Sequence, residues 1–189
     1  MSISLSNTHM KSFSEIQKTL FEYVNVPQKD APKFVELPTN KMTPSSAYSS
    51  YRFNIHKHEN GDTGLFAIHD KETGKHVGTI HYNRIHKNGH VLTDIAKSPD
   101  SKHSKMMSEV IAHLHDACGH KMFSSTTLSA AGLAVWKHLA ATHNVAAVDD
   151  STGKMKAIAH GLAPNQLVNH LERKSPDKSS KQFWLGDSK

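Results

Sequence analysis

At 189 residues the chain has the length of one ordinary domain and is long enough to bury a core. Its apolar fraction of 37% is low for a globular chain and predicts a modest core with polar ends. The formal net charge of +6 leaves anionic partners open, from nucleic acid to phosphorylated cofactors or an anionic surface, and does not choose among them. A single cysteine, Cys118, excludes an intramolecular disulfide and fits a reducing compartment. Residues 1–10 carry no apolar stretch of the signal-peptide kind and nothing reaches the length of a membrane span, so a cytoplasmic protein is expected. Sixteen histidines make the chain histidine-rich, and its charge should climb as pH falls through neutrality.

Residues 1–11 read as a disordered start. A helix follows from Ser12 or Ser14, striped by Phe13, Ile16, Leu20 and Val24, and Pro27 ends it. Residues 27–47 hold Pro27, Pro32, Pro38 and Pro44 and read as a long irregular connection, either a cover over a groove or an extended wrap on a sheet. From Tyr48 the period changes to two. Residues 51–56, 64–70, 76–82 and 91–95 read as four strands of an antiparallel meander, with turns at 59–62, 71–75 and 87–89.

Pro99 and its polar neighbours then break the pattern. A helix is predicted from Ser104, with Met106, Met107, Val110, Ile111 and Leu114 on one face. A short strand over 121–123 and a second helix over about 129–141 complete a strand-helix-strand-helix unit over 89–141, which implies a parallel or mixed sheet. Residues 142–144 read as a polar break and 145–148 as a strand. A turn over 149–153 leads to a partner strand over 155–159, and a short helix over 161–173 follows. The predicted organisation is one α/β domain over 12–172 and a basic flexible tail over 173–189, relieved only by Phe183-Trp184-Leu185.

Several residue groups invite a chemical reading. His113, His115, Cys118 and His120 are the densest set of potential metal ligands, but on a helix the first two point about 200° apart. His56 and His58 share a strand face, with His81 or His90 as candidates to join them. No spacing matches a closed four-ligand zinc pattern, so no metal is expected. Lys102 and Lys105 stand at a helix start, where an anion is favoured, or else form a solvated basic turn. Asp94 is either a proton acceptor or a polar residue on a half-exposed strand.

The order of elements, and three phrases within it, resemble the GNAT-type N-acetyltransferases. Asp70 to Ile80 contains Gly74-Lys75-His76-Val77-Gly78 and is similar to that family's hairpin. Leu92 to Pro99 is similar to the strand that splays to receive the pantetheine arm of acyl-CoA. Ser124 to Trp136 is similar to the post-strand helix of phage-encoded members. The likeness runs from about Tyr51 to Ala159.

It implies a GNAT-like central mixed sheet and transfer of acetyl from acetyl-CoA to an amine acceptor, in the host cytoplasm if the chain is phage-encoded. It also implies cofactor contacts from Ile95, Ala96, Lys102, His103, Ser104 and Lys105, and catalytic roles for Asp94, Ser125 and Ser129. The chain departs from the family in two places. The loop at 99–110 has no glycine to cradle a pyrophosphate, and Trp136 stands where the family commonly has a tyrosine acid. The alternative reading is a non-catalytic binding or virion-associated protein with a basic, non-specific nucleic-acid surface.

Overall fold

The computed structural model describes residues 34, 43–86, 89–126, 128–149, 156–168 and 181–189. Contacts divide the chain into two units, Met1–Lys33 and Phe34–Lys189, and all described residues belong to the second. The helix expected from residue 12 and most of the connection over 27–47 therefore lie outside the described residues.

Nine strands form one mixed sheet: β1 (Ser46–Ser49), β2 (Phe53–Asn60), β3 (Thr63–Asp70), β4 (His76–His86), β5 (Gly89–Lys97), β6 (Lys121–Phe123), β7 (His143–Asp149), β8 (Lys156–Ala159) and β9 (Lys181–Ser188). Their order across the sheet is β1-β2-β3-β4-β5-β6-β9-β7-β8. The predicted α/β class, an antiparallel meander feeding strand-helix-strand-helix, is the observed architecture: β1 to β5 pair antiparallel in sequence and β5 pairs β6 in parallel.

The first of the predicted strands is shifted. Tyr51 and Arg52 form a turn with Tyr51 94% exposed, and β1 lies upstream of it. The turn glycines Gly61 and Gly74 sit at φ of 62° and 69°, which only a residue without Cβ adopts freely. β7 begins directly at His143, without the expected polar break, because the His143 ring is buried and held by Asp116 and Thr142.

The largest correction concerns the chain end. Residues 173–189 read as a tail, yet Lys181–Ser188 is a sheet strand inserted between β6 and β7. Phe183 and Leu185 are fully buried there, and the ladder to β7 satisfies the strand backbone. Lysine and serine content governed the reading, whereas three apolar residues and a vacant ladder position governed the outcome.

Helix α1 (Met106–Asp116) packs Met106, Val110, Ile111 and Leu114 into the core, as their spacing predicts. Its first turn rests on β4 at Gly78, where an added Cβ would meet Met106 Cε at 2.8 Å. Helix α2 (Ala130–Thr142) buries Trp136 and Leu139 fully, with the Trp136 ring 5.8 Å from that of Phe183.

Candidate functional site

The feature that sets the site is the unequal length of two parallel neighbours. β5 pairs with β4 from Gly89 to Lys97, but with β6 only at Gly89↔Lys121, His90↔Met122 and Val91↔Phe123. At the next residue the chain turns to β9. The Ser124 N–H donates to the Phe183 carbonyl at 2.8 Å, and Ser124 Oγ accepts from the Phe183 N–H at 2.7 Å. β5 runs on from Leu92 to Lys97, roughly 20 Å at ~3.3 Å per residue, with no strand on that side among the described residues. The side chains along this edge, Thr93 to Ala96, are half-buried or exposed.

The end of β5 delivers the chain to the start of α1. Ser98 is buried and its N–H donates to Val77, and Lys97 Nζ donates to the carbonyls of Ser101 and His103, which fixes the loop. The α1 N-cap is Lys105, whose side chain caps nothing. Lys102, Ser104 and Lys105 are exposed around this end of the helix dipole. His103 turns the other way. Its Nε2 lies 3.2 Å from Asp70 Oδ2 and its ring stands edge-on to Phe53 at 5.2 Å, so it ties the loop to the β2 and β3 ends rather than facing the helix start. Asp70 is held below the usual carboxylate range, first by the Thr73 hydroxyl and N–H and then by His103.

Among the residues proposed as catalytic from sequence, Asp94 lies on the edge of β5 described above. It stands directly opposite His81 of β4, and the pair shares one sheet face with Thr79 and Ala96. Burial pushes the Asp94 carboxyl up, against the pull of His81; burial likewise pushes His81 down, against Asp94. Ile95 shares the opposite, helix-bearing face with Ile80. Ser125 is half-buried two residues beyond β6, with its carbonyl accepting from Ser124 Oγ. Ser129 is the N-cap of α2, its Oγ accepting from the Gly132 N–H at 3.1 Å. Asp94, Ile95, Ala96, Lys102, Ser104 and Lys105 thus lie along one stretch of chain from β5 to the start of α1, with Asp94 and Ala96 on one sheet face and Ile95 on the other. Ser129 is occupied with its helix, and Trp136 is part of the core.

Sequence reading missed a buried polar cluster at the other end of the sheet. Lys57, 6% exposed, pairs with Glu59 at 2.9 Å, and the Tyr82 hydroxyl donates to the same Glu59 oxygen at 3.2 Å. Burial alone would raise Glu59, but the Lys57 and Tyr82 bonds hold it below its ordinary value. His120 Nε2 lies 2.8 Å from the Tyr48 hydroxyl and its ring is edge-on to that of His90 at 4.7 Å. Burial, then the Lys57 charge, lower His120 to about 4. The signal was present: Phe53, Ile55, Lys57 and Glu59 alternate along one strand, so the face that buries Ile55 buries Lys57 too.

The histidines divide between the two faces. His56, His58 and His69 lie on one, with His56 and His69 rings 4.9 Å apart and His76 5.4 Å beyond. His90 lies on the other, against Phe66 and Tyr82. Among the described residues no group of three or more His, Cys, Asp or Glu side chains is placed to hold a metal ion. Among them, too, no helix is long and apolar enough to cross a membrane.

No protein-family profile matches the chain, and no curated protein does. Among solved structures it is similar to a candidate acetyltransferase from Sphaerobacter thermophilus DSM 20745, at 9% identity and a TM-score of 0.40 over 77% of this chain and 99% of the other. At that distance the similarity carries no functional weight.

Proposed function

We propose that the chain is a GNAT-like N-acetyltransferase that uses acetyl-CoA to acetylate an amine. The observation that carries this reading is the open edge of β5 from Leu92 to Lys97 leading into the uncapped start of α1. An extended amide-bearing arm fits such an edge as a strand would, through backbone N–H and C=O groups. A phosphate fits the helix start beyond it.

The fit at the phosphate end differs from a backbone cradle. Every residue from Ser98 to Met106 carries a Cβ, so the charges of Lys102 and Lys105 supply what close backbone approach otherwise would. Acetyl-CoA supplies the activated acyl thioester. The chain's own part is to align an amine with it and to manage protons. Asp94, raised by burial, takes a proton from the incoming ammonium, with His81 opposite to steady the charge. Ser125, two residues beyond β6 on that side of the opening, has the hydroxyl that passes a proton to the departing thiolate. Positioning accounts for most of the rate in such a site.

Titration calorimetry with acetyl-CoA tests the reading. Micromolar binding that weakens about tenfold in Lys102→Ala/Lys105→Ala is expected, together with thiol release on adding a panel of amines. Absence of heat at millimolar acetyl-CoA sinks it.

A further inference from the structure

Three turns meet at the end of the sheet where β5 stops, and they gather cations that are far apart in sequence. Strand register brings Ser49, Asn54, His69, His76 and Lys97 to this end. The turns are bonded to one another. The Lys71 N–H donates to the Arg52 carbonyl at 3.0 Å, His103 reaches Asp70, and the Arg52 guanidinium lies 3.8 Å from Glu109 in the first turn of α1. The result is a rigid plate bearing Arg52, Lys71, Lys75, Lys102 and Lys105, all exposed, against Glu72, Asp100 and Glu109. At the opposite end the charges balance among the described residues: Arg84, Lys121 and Lys189 stand against Asp62, Asp116 and Asp187, and Glu59 is paired with Lys57. The basic character of the described surface is therefore polarised.

At the β1–β2 edge of the plate stands Tyr51. It is 94% exposed, whereas Ile158, the other exposed large hydrophobic among the described residues, reaches 44%. Its ring contributes nothing to the core and presents both faces to solvent. Beside a rigid set of cations it has the makeup of a stacking platform, with a π-face for a base and ammonium groups spaced for the flanking phosphates. From β2 to β5 the plate spans three strand spacings, about 14 Å, which suits a few nucleotides of a single strand.

We infer that this turn plate, with Tyr51 and Arg52 on its β1–β2 turn and Lys71 and Lys75 on the neighbouring β3–β4 turn, is a sequence-tolerant binding surface for single-stranded nucleic acid. It adjoins the acyl-donor path, with which the plate shares Lys102 and Lys105, but Tyr51, Arg52, Lys71 and Lys75 lie on the β1–β2 and β3–β4 turns rather than on β5 or α1. Duplex DNA presents no free base faces and gains only the charge contribution.

Fluorescence anisotropy with the full chain and a labelled oligothymidylate of about 12 nucleotides tests this. Binding should fall with salt, with a log–log slope near −2 to −3 for three or four phosphate contacts. Lys71→Glu/Lys75→Glu should weaken binding at least tenfold and flatten that slope by about 1.4, two contacts' worth. Tyr51→Ala should weaken it about tenfold without changing the slope, and Tyr51→Phe should restore it. All these variants should retain the wild-type thermal midpoint and the wild-type response to acetyl-CoA. The inference is overturned if Lys121→Glu at the far end weakens binding as much. It is equally overturned if Tyr51→Ala binds as wild type, or if the plate variants lose anionic vesicles but keep the oligonucleotide.

Discussion

Lowering the pH from 7 to 5 should cost the fold about 3 to 4 kcal/mol through two buried histidines. His76 lies between Phe34 and His69, with its Nε2 3.0 Å from Thr79 Oγ1; His120 is bonded to Tyr48 and packed on Phe66. Both are held down to about 4, each by burial first, then His69 for the one and Lys57 for the other. Because the unfolded chain takes up its proton near 6.5, their stabilisation is fully present above that pH. It is lost as pH falls toward 4. With those limits each ring gives up about 1.8 kcal/mol between pH 7 and 5.

His58, His69 and His81 are lowered too and act in the same direction. Asp94 is raised and offsets part of the loss, whereas Glu59 and Asp70 are lowered and matter only below the carboxylate range. Against a total stability on the order of 5–15 kcal/mol the change is large. Urea unfolding followed by circular dichroism, at fixed ionic strength, reads it as a fall in midpoint. His120→Gln should remove about half of the pH dependence. A midpoint that does not move between pH 7 and 5, or a His120→Gln protein with the full dependence, refutes the reasoning.

Glu59→Ala strands the Lys57 ammonium in the core and should destabilise by about 3 kcal/mol, whereas Lys57→Met/Glu59→Leu should recover most of it in the same urea assay. Gly64→Ala drives a methyl against the Tyr82 hydroxyl and to 2.6 Å from the His58 carbonyl, so a loss of about 3 kcal/mol or insoluble expression is expected. Ser129→Ala removes the α2 cap and should cost about 1 kcal/mol with acetyl-CoA binding unchanged; a loss of binding would return Ser129 to the functional site.

How legible was this in the sequence? The meander, α1 and α2 were, because the alternation of Phe53 and Ile55 with polar neighbours, the apolar run over 64–68 buried on both faces, and the three-and-four spacing in 106–114 each answer to burial in the core. β9 was not, because a strand is specified by the vacant ladder it fills as much as by its own residues, and the partners of Phe183 are Ala147 and Ser124. The candidate site was legible as positions along one stretch, Asp94 to Lys105, since β5 and the loop after it are contiguous. Which way each side chain turned was not. His103 and Lys105 are neighbours in a basic loop, yet one is bound to Asp70, a residue 33 positions away, and the other is exposed. Tyr51 shows the same limit: its sequence suits a strand, and the turn at Ser50, whose N–H and hydroxyl both donate to Phe53, places it in solvent.

The two ends of the sheet explain why function is sought at one and not the other. At the end where β5 begins, polar groups are answered from within: Glu59 is bound by buried Lys57 and Tyr82, and exposed Asp116 by buried His143. Charges so neutralised stabilise a fold only if they remain together. At the end where β5 stops, the order reverses. Among the described residues a strand edge runs on without a neighbour, a helix begins without a side-chain cap, and lysines stand exposed. Groups left unanswered by the fold are those through which binding contributes free energy that folding has not already used. The same sheet thus closes one end on itself and turns its unpaired charges outward at the other among the described residues.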